Sequence, residues 1–118
     1  MIEITVLNYL KSVLSVPVFM EKPTDQSIVE YIMLEKTGGG RINHLDSAVI
    51  VIQSHATSLY DAAVLNDEVK EAMLGNGVTT YGITADTDIS KCGLNSDYNF
   101  TDLTTKTYRY QAVYDLVF

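Results

Sequence analysis

Apolar residues change their period along the chain, and each change marks a predicted element. From residue 2 to 15, Ile2, Val6, Tyr9, Leu10, Val13 and Leu14 recur at helical spacing, with Glu3, Asn8, Lys11 and Ser12 opposite. That pattern predicts an amphipathic helix, ended before Pro17 because a residue preceding proline avoids the α region. Val16 to Met20 reads as a short strand, and Lys22-Pro23-Thr24-Asp25-Gln26-Ser27 as a turn. Ile28 to Lys36 reads as extended, with Ile28, Ile32 and Leu34 on one side and Val29, Tyr31 and Met33 on the other. Apolarity on both sides predicts a strand covered on two faces, the second by its own chain or by a partner chain. Thr37 to Asp46, which holds Gly38, Gly39 and Gly40, is predicted to be a flexible connection to a second apolar strand, Ser47 to Ser54.

Helical spacing returns over residues 58–73, where Leu59, Ala62, Leu65, Val69, Ala72 and Met73 share a face. Ser58 is placed to cap this helix at its start and Gly75 to stop it. Gly75 to Asp88 reads as a loop holding a short strand around Tyr81. Ile89–Phe100 and Thr105–Phe118 read as closing strands. In the last of these Tyr108, Tyr110, Ala112, Tyr114, Leu116 and Phe118 alternate with Arg109, Gln111 and Asp115. The predicted order is helix, strand, hairpin, helix, hairpin. This is the α+β class, two helices on a mostly antiparallel sheet, in one domain spanning 1–118.

Composition narrows the partners. The 118 residues suit one domain with one core. The longest apolar runs, such as Ala48 to Ile52, are too short to cross a bilayer as a helix, so no membrane partner is expected. Met1-Ile2-Glu3-Ile4 lacks the basic stretch that opens a secretory signal, so none is expected. The formal net charge is −7, and the eight Lys and Arg are scattered. Tight nucleic-acid binding needs clustered cations to displace counterions from phosphates, so no sequence-specific nucleic acid is expected as a ligand. Residues 61–118 carry four basic and nine acidic groups against four and six in residues 1–60, which makes the second half the candidate for an anionic face. Within it Asp67, Glu68 and Glu71 lie toward the end of the second predicted helix, where acids oppose the helix dipole. One cysteine, Cys92, excludes an internal disulfide and fits a reducing compartment.

Catalytic and metal-binding patterns do not emerge. Gly38-Gly39-Gly40-Arg41 lies between strands and lacks the Gly-Lys-Ser/Thr ending of a phosphate loop, so it reads as a hairpin tip able to order against a partner. His44 and His55 have no neighbours at metal-ligand spacing, and each reads as solvated or capping. Cys92 has no CxxC partner and reads as a small apolar residue, with Lys91 beside it slightly favouring the thiolate. Asp86-Thr87-Asp88 lacks the glycine and terminal Glu of a calcium loop. No Gly-x-Ser-x-Gly elbow supports an acyl-transfer triad. The chain is expected to be no enzyme and to carry no cofactor. Its eight tyrosines suit either strand packing or a subunit interface, Tyr108, Tyr110 and Tyr114 being the interface candidates together with Gly38 to Arg41.

Five stretches carry a resemblance. Leu34-Glu35-Lys36-Thr37-Gly38-Gly39 ends one strand, and the next reaches Ile52-Gln53-Ser54. Ser58-Leu59-Tyr60-Asp61-Ala62-Ala63 opens a helix. Leu94-Asn95-Ser96-Asp97-Tyr98-Asn99-Phe100 leads into Lys106-Thr107-Tyr108-Arg109-Tyr110-Gln111-Ala112-Val113-Tyr114-Asp115. Over essentially its whole length the chain resembles the tail terminator group among the neck and tail-completion proteins of long-tailed bacteriophages and prophages of Gram-positive bacteria. The resemblance implies an α+β subunit of a homo-oligomeric ring, commonly a hexamer. That ring caps the head-proximal end of the tail tube, stops its polymerisation and presents a surface to the head connector proteins. It implies a virion neck protein assembled in the bacterial cytoplasm, with no catalytic residues to carry over, and with residues 37–46 in subunit or tube contacts. A head-tail joining or minor capsid role is the close alternative, and a small cytoplasmic ligand-binding or regulatory module is the alternative of another class.

Overall fold

The computed structural model describes residues 1–42, 45–78 and 81–118. Its elements in chain order are α1 (Ile2–Val13), β1 (Val18–Phe19), β2 (Tyr31–Ile42), β3 (Leu45–Ala56), α2 (Leu59–Leu74), α3 (Ile83–Asp86), β4 (Lys91–Asn99) and β5 (Tyr108–Val117). The protein is α+β, with one five-stranded sheet in the order β1-β2-β3-β5-β4. Only the two-residue β1 runs parallel to its neighbour; β2, β3, β5 and β4 alternate in direction.

Local chemistry accounts for the helices. Ile2, Val6, Tyr9 and Leu10 form the buried stripe of α1, and the chain turns extended at Leu14, ahead of Pro17. The Tyr9 hydroxyl donates to the Ala72 carbonyl at 2.5 Å, pinning α1 to the last turns of α2. Ser58 Oγ accepts from the Asp61 amide at 3.1 Å, an N-cap that satisfies one otherwise orphaned donor. At the far end the Gly75 amide donates to Glu71 O at 2.8 Å with φ at +79°. Both α1 and α2 pack on one face of the sheet. Leu65, Val69, Ala72 and Met73 from α2 meet Ile32, Leu34, Ile50, Ile52, Ala112, Tyr114 and Leu116 from the strands in a single core.

Three expectations change. The described part of residues 37–46 is not a loose connection: Gly38, Gly39, Gly40 and Arg41 are strand, paired with Val49, Ala48, Ser47 and Asp46, while Asn43 and His44 lie outside the described residues. Glycine's freedom is overridden there by a complete ladder, and the register shifts once, between Lys36 and Gly38, leaving Thr37 as a bulge. The stretch around Tyr81 holds a helical turn, α3, where a strand was expected; Thr79 and Thr80 lie outside the described residues. Gly82 makes that turn possible. Its φ is +84°, and a Cβ on it would stand 2.8 Å from the Met73 carbonyl oxygen. Ile83 thereby drops into the core. Finally, among the described residues every helix lies on the same side of the sheet, so the second cover does not come from the chain's own helices, although Tyr31, Val51 and His55 on the other face are buried. That asymmetry leaves an open surface.

Candidate functional site

Strand alternation sorts the side chains into two sets. Ala48, Ile50, Ile52 and Ser54 of β3 point toward the helices, so Val49, Val51, Gln53 and His55 point away. Carried through the register, the outward set includes Tyr31, Met33 and Glu35 on β2, Arg109, Gln111, Val113 and Asp115 on β5, and Ser96 and Tyr98 on β4.

Across this uncovered face runs one connected row of rings and amides that touches all five strands. Phe19 of β1 meets the edge of Tyr31 at 6.0 Å between centroids. Tyr31 stacks on His55 at 4.5 Å with planes 8° apart. His55 Nε2 lies 3.0 Å from Gln53 Oε1 and donates to it as the Nε2–H tautomer. Gln53 Nε2 donates to Gln111 Oε1 at 3.0 Å, and the Gln111 amide donates to the Tyr98 hydroxyl. Tyr98 meets Phe100 edge-on at 5.8 Å, and the Arg109 guanidinium sits 4.5 Å over the Phe100 ring while Nε donates to the Phe100 carbonyl at 2.9 Å. Arg109 thus makes a cation–π contact and a hydrogen bond with one residue.

His55 was expected to be solvated or capping. It is 6% exposed, wedged against Tyr31. Burial, then the cations of Arg109 and Lys22, push its pKa down to about 4, so at neutral pH the ring is uncharged. Its hydrogen bond to Gln53 therefore joins two neutral groups. Beside the row, Met33, Val49, Val113 and Val117 are half-buried and supply an apolar field.

The covered face has its own polar knot. Asp97 of β4 accepts from Asn66 Nδ2 at 2.7 Å and from Lys70 Nζ at 2.5 Å, tying β4 to α2. The hydrogen bond to Asp97 raises the Lys70 pKa. Lys70 also stands 3.3 Å from Asp67, whereas Glu68 and Glu71 line the groove between the end of α1 and α2. All three acids of the candidate anionic face are exposed, with Asp67 joined to a cation and Glu71 accepting from the Asn76 side chain at 2.8 Å.

The remaining candidates separate. Tyr114 is fully buried on the helix side and leaves the set of surface candidates, because alternation turns it into the core. Tyr108 and Tyr110 are half-buried at the Ala56 end of the sheet. Gly38 to Arg41 lie at the opposite end, where Arg41 holds Asp46 through Nε at 2.6 Å and Nη2 at 3.1 Å. His44 falls outside the described residues. Cys92 is half-buried, and burial pushes its thiol pKa up to about 11, so Lys91 does not make it a thiolate. Among the described residues no three His, Cys, Asp or Glu are grouped to hold a metal. No helix among them is long and apolar enough to cross a membrane.

Residue-by-residue reading missed Gln53, Gln111, Tyr98 and Tyr31 as a unit. The available signal was the switch along odd positions of β3, from Val49 and Val51 to Gln53 and His55. Set against protein-family models the chain matches none, and no curated protein aligns with it at a significant level.

Proposed function

We propose that the protein is a virion assembly subunit, the tail terminator of a long-tailed phage or prophage. In this reading it forms a ring, of six copies as is common in the resembled family, that caps the tail tube and meets the head connector. The observation that carries the reading is the disposition of the hairpins. The paired ends of β2 and β3, Ile42 and Leu45, lie at one end of the sheet, and the Phe100 to Thr107 turn between β4 and β5 lies at the other, because Leu45 and Val117 are at one end of the ladder and Ala56 and Tyr108 at the opposite end. Over a body 45 Å long, this gives two separate ends for two different axial partners. The sides of the sheet remain for neighbours in a ring. At the second end Phe100 and Leu103 are 40% and 76% exposed, an apolar tip that suits burial against a protein.

Six copies at −7 each would make an anionic annulus, through which DNA slides without counterion-release binding. The test is tube growth. Purified tail-tube protein polymerising alone should give tubes of unbounded length, and addition of this protein should stop elongation and leave a ring at one end in electron micrographs. Tubes that grow unchanged and carry no added density at either end would overturn the proposal. A ring that binds connector proteins but ignores tube ends would favour the head-tail joining role.

A further inference from the structure

The sheet has two open edges. On one side β1 covers only Ile32 and Met33 of β2, so the distal half of β2 has no partner strand among the described residues. On the other side β4 is the last strand. We infer that these edges pair with each other between copies of the chain, residues 39–41 of one copy with residues 92–94 of the next, so that one sheet continues around the assembly. This rests on the ring reading and specifies how the ring is joined.

Backbone register carries the inference. Asp46 and Phe118 exchange both of their backbone hydrogen bonds, at 3.2 and 2.9 Å. Bonding direction alternates along an antiparallel strand. Ser47 and Val49 therefore address β2, which directs Gly40 and Gly38 inward and leaves Gly39 and Arg41 with N–H and C=O pointing out. By the same alternation Val117 and Asp115 address β4, so Cys92 and Leu94 present their N–H and C=O to the open side. An independent bond agrees: before the bulge the outward set is even, and the Ile32 amide does donate outward, to the Pro17 carbonyl at 2.9 Å.

The two pairs of free groups match in spacing, sense and face. Each is two residues apart. β2 and β4 run in opposite directions within the sheet, so joining β4 to the next copy's β2 is antiparallel and continues the alternation of β2, β3, β5 and β4. Cys92 and Leu94 lie opposite Leu116 and Tyr114, while Gly39 and Arg41 lie opposite Ala48 and Asp46, which puts all four on the helix side. Residues directly opposite in an antiparallel pair share a face. Pairing Gly39 with Leu94 and Arg41 with Cys92 therefore keeps the helices of both copies on one side, as a closed ring requires. Both segments also end at a bulge, at Thr37 and at Asn95, which limits the pairing to this stretch. Gly39 brings no side chain of its own to the pairing; the flexible end of Lys36 lies over it and swings aside as the 41% exposed Leu94 takes that place.

Cys92 is the sole cysteine, which makes the test specific. Opposed residues in such a pair have Cα atoms about 5.5 Å apart, within disulfide reach. Under mild oxidation Arg41→Cys should form a ladder of covalent multimers longer than dimers. A tagged Arg41→Cys, Cys92→Ser double variant mixed with wild-type chain should form the mixed dimer through Cys92. Leu94→Pro, which removes an outward N–H without touching a bond to β5, should lower the oligomer mass in light scattering while circular dichroism stays unchanged. A wild-type oligomer whose variants give no mixed disulfide would overturn the edge pairing and leave the ring reading standing. A chain that stays monomeric at high concentration and with tube protein would overturn both. A ladder from a protein that does not act on tube ends would support the pairing and overturn the terminator reading.

Discussion

The two faces of the sheet are built from the same strands and obey opposite rules. On the helix side Ile32, Leu34, Ile50 and Ile52 are wholly buried and interchangeable in kind, each contributing by volume. On the other side Tyr31, His55, Gln53, Gln111 and Tyr98 are linked one to the next by directional contacts, and of the outward side chains Tyr31, Val51 and His55 are buried while none is as deep as Ile50 or Ile52. The first face answers to area removed from water, the second to geometry. A face of rigid rings and satisfied amides is pre-ordered, so a partner meeting it loses little side-chain freedom on binding.

Substitutions should separate these rules. The largest effect is expected from Ile52→Ala, about 3–4 kcal/mol lost in denaturant unfolding, because the cavity forms under α2. Val113→Ala on the other face should cost about 1 kcal/mol or less; equal losses would erase the distinction. Next comes pH. The His55 pKa lies near 4 in the fold against an ordinary 6.5, so between those values the unfolded chain binds the extra proton and stability falls as pH falls. The loss should approach 3 kcal/mol by about pH 4 and then level off, and His55→Gln should abolish that component when the two pH profiles are subtracted. A wild-type profile identical to the variant's would place the ring in solvent. Asp97→Ala, which frees Lys70 and Asn66 from β4, should cost about 1–2 kcal/mol and speed amide exchange in β4 ahead of β3. The smallest change in stability should come from Gln111→Ala, under about 1 kcal/mol, with its effect seen in assembly rather than in unfolding.

Much of the covered face was legible because its signal is periodic and local. Val6, Leu10, Leu65 and Val69 announce their helices, and Ser58 and Gly75 mark the limits of α2. The other face was legible only as one that calls for a cover, from its own chain or from a partner chain. Tyr31, Met33 and Val51 are apolar enough to suggest a second covering layer, and nothing in their spacing says that none of the helices lies over them. The glycines did mislead. Gly38 to Gly40 favour loops by their own conformational freedom, yet Val49, Ala48 and Ser47 across the ladder hold them extended. The row of rings and amides showed in the sequence only as the switch to Gln53 and His55 along β3, since Gln53 and Gln111 are 58 positions apart and meet through the β3–β5 register.

That row has a polarity. Each amide is fixed by the one before it: His55 donates to Gln53, Gln53 to Gln111, and Gln111 to Tyr98. No glutamine can reverse unless every member reverses, so the chain of dipoles behaves as one arrow lying across the strands. At its tail the second ring nitrogen of His55 is left as an acceptor, and at its head the Tyr98 hydroxyl keeps a hydrogen to give. The head is the end a partner reaches, since Tyr98 is exposed and His55 is buried under the Tyr31 ring, so what is laid on this face meets the donor. The sheet thus carries a direction across its strands without a single charged group in the row from His55 to Tyr98.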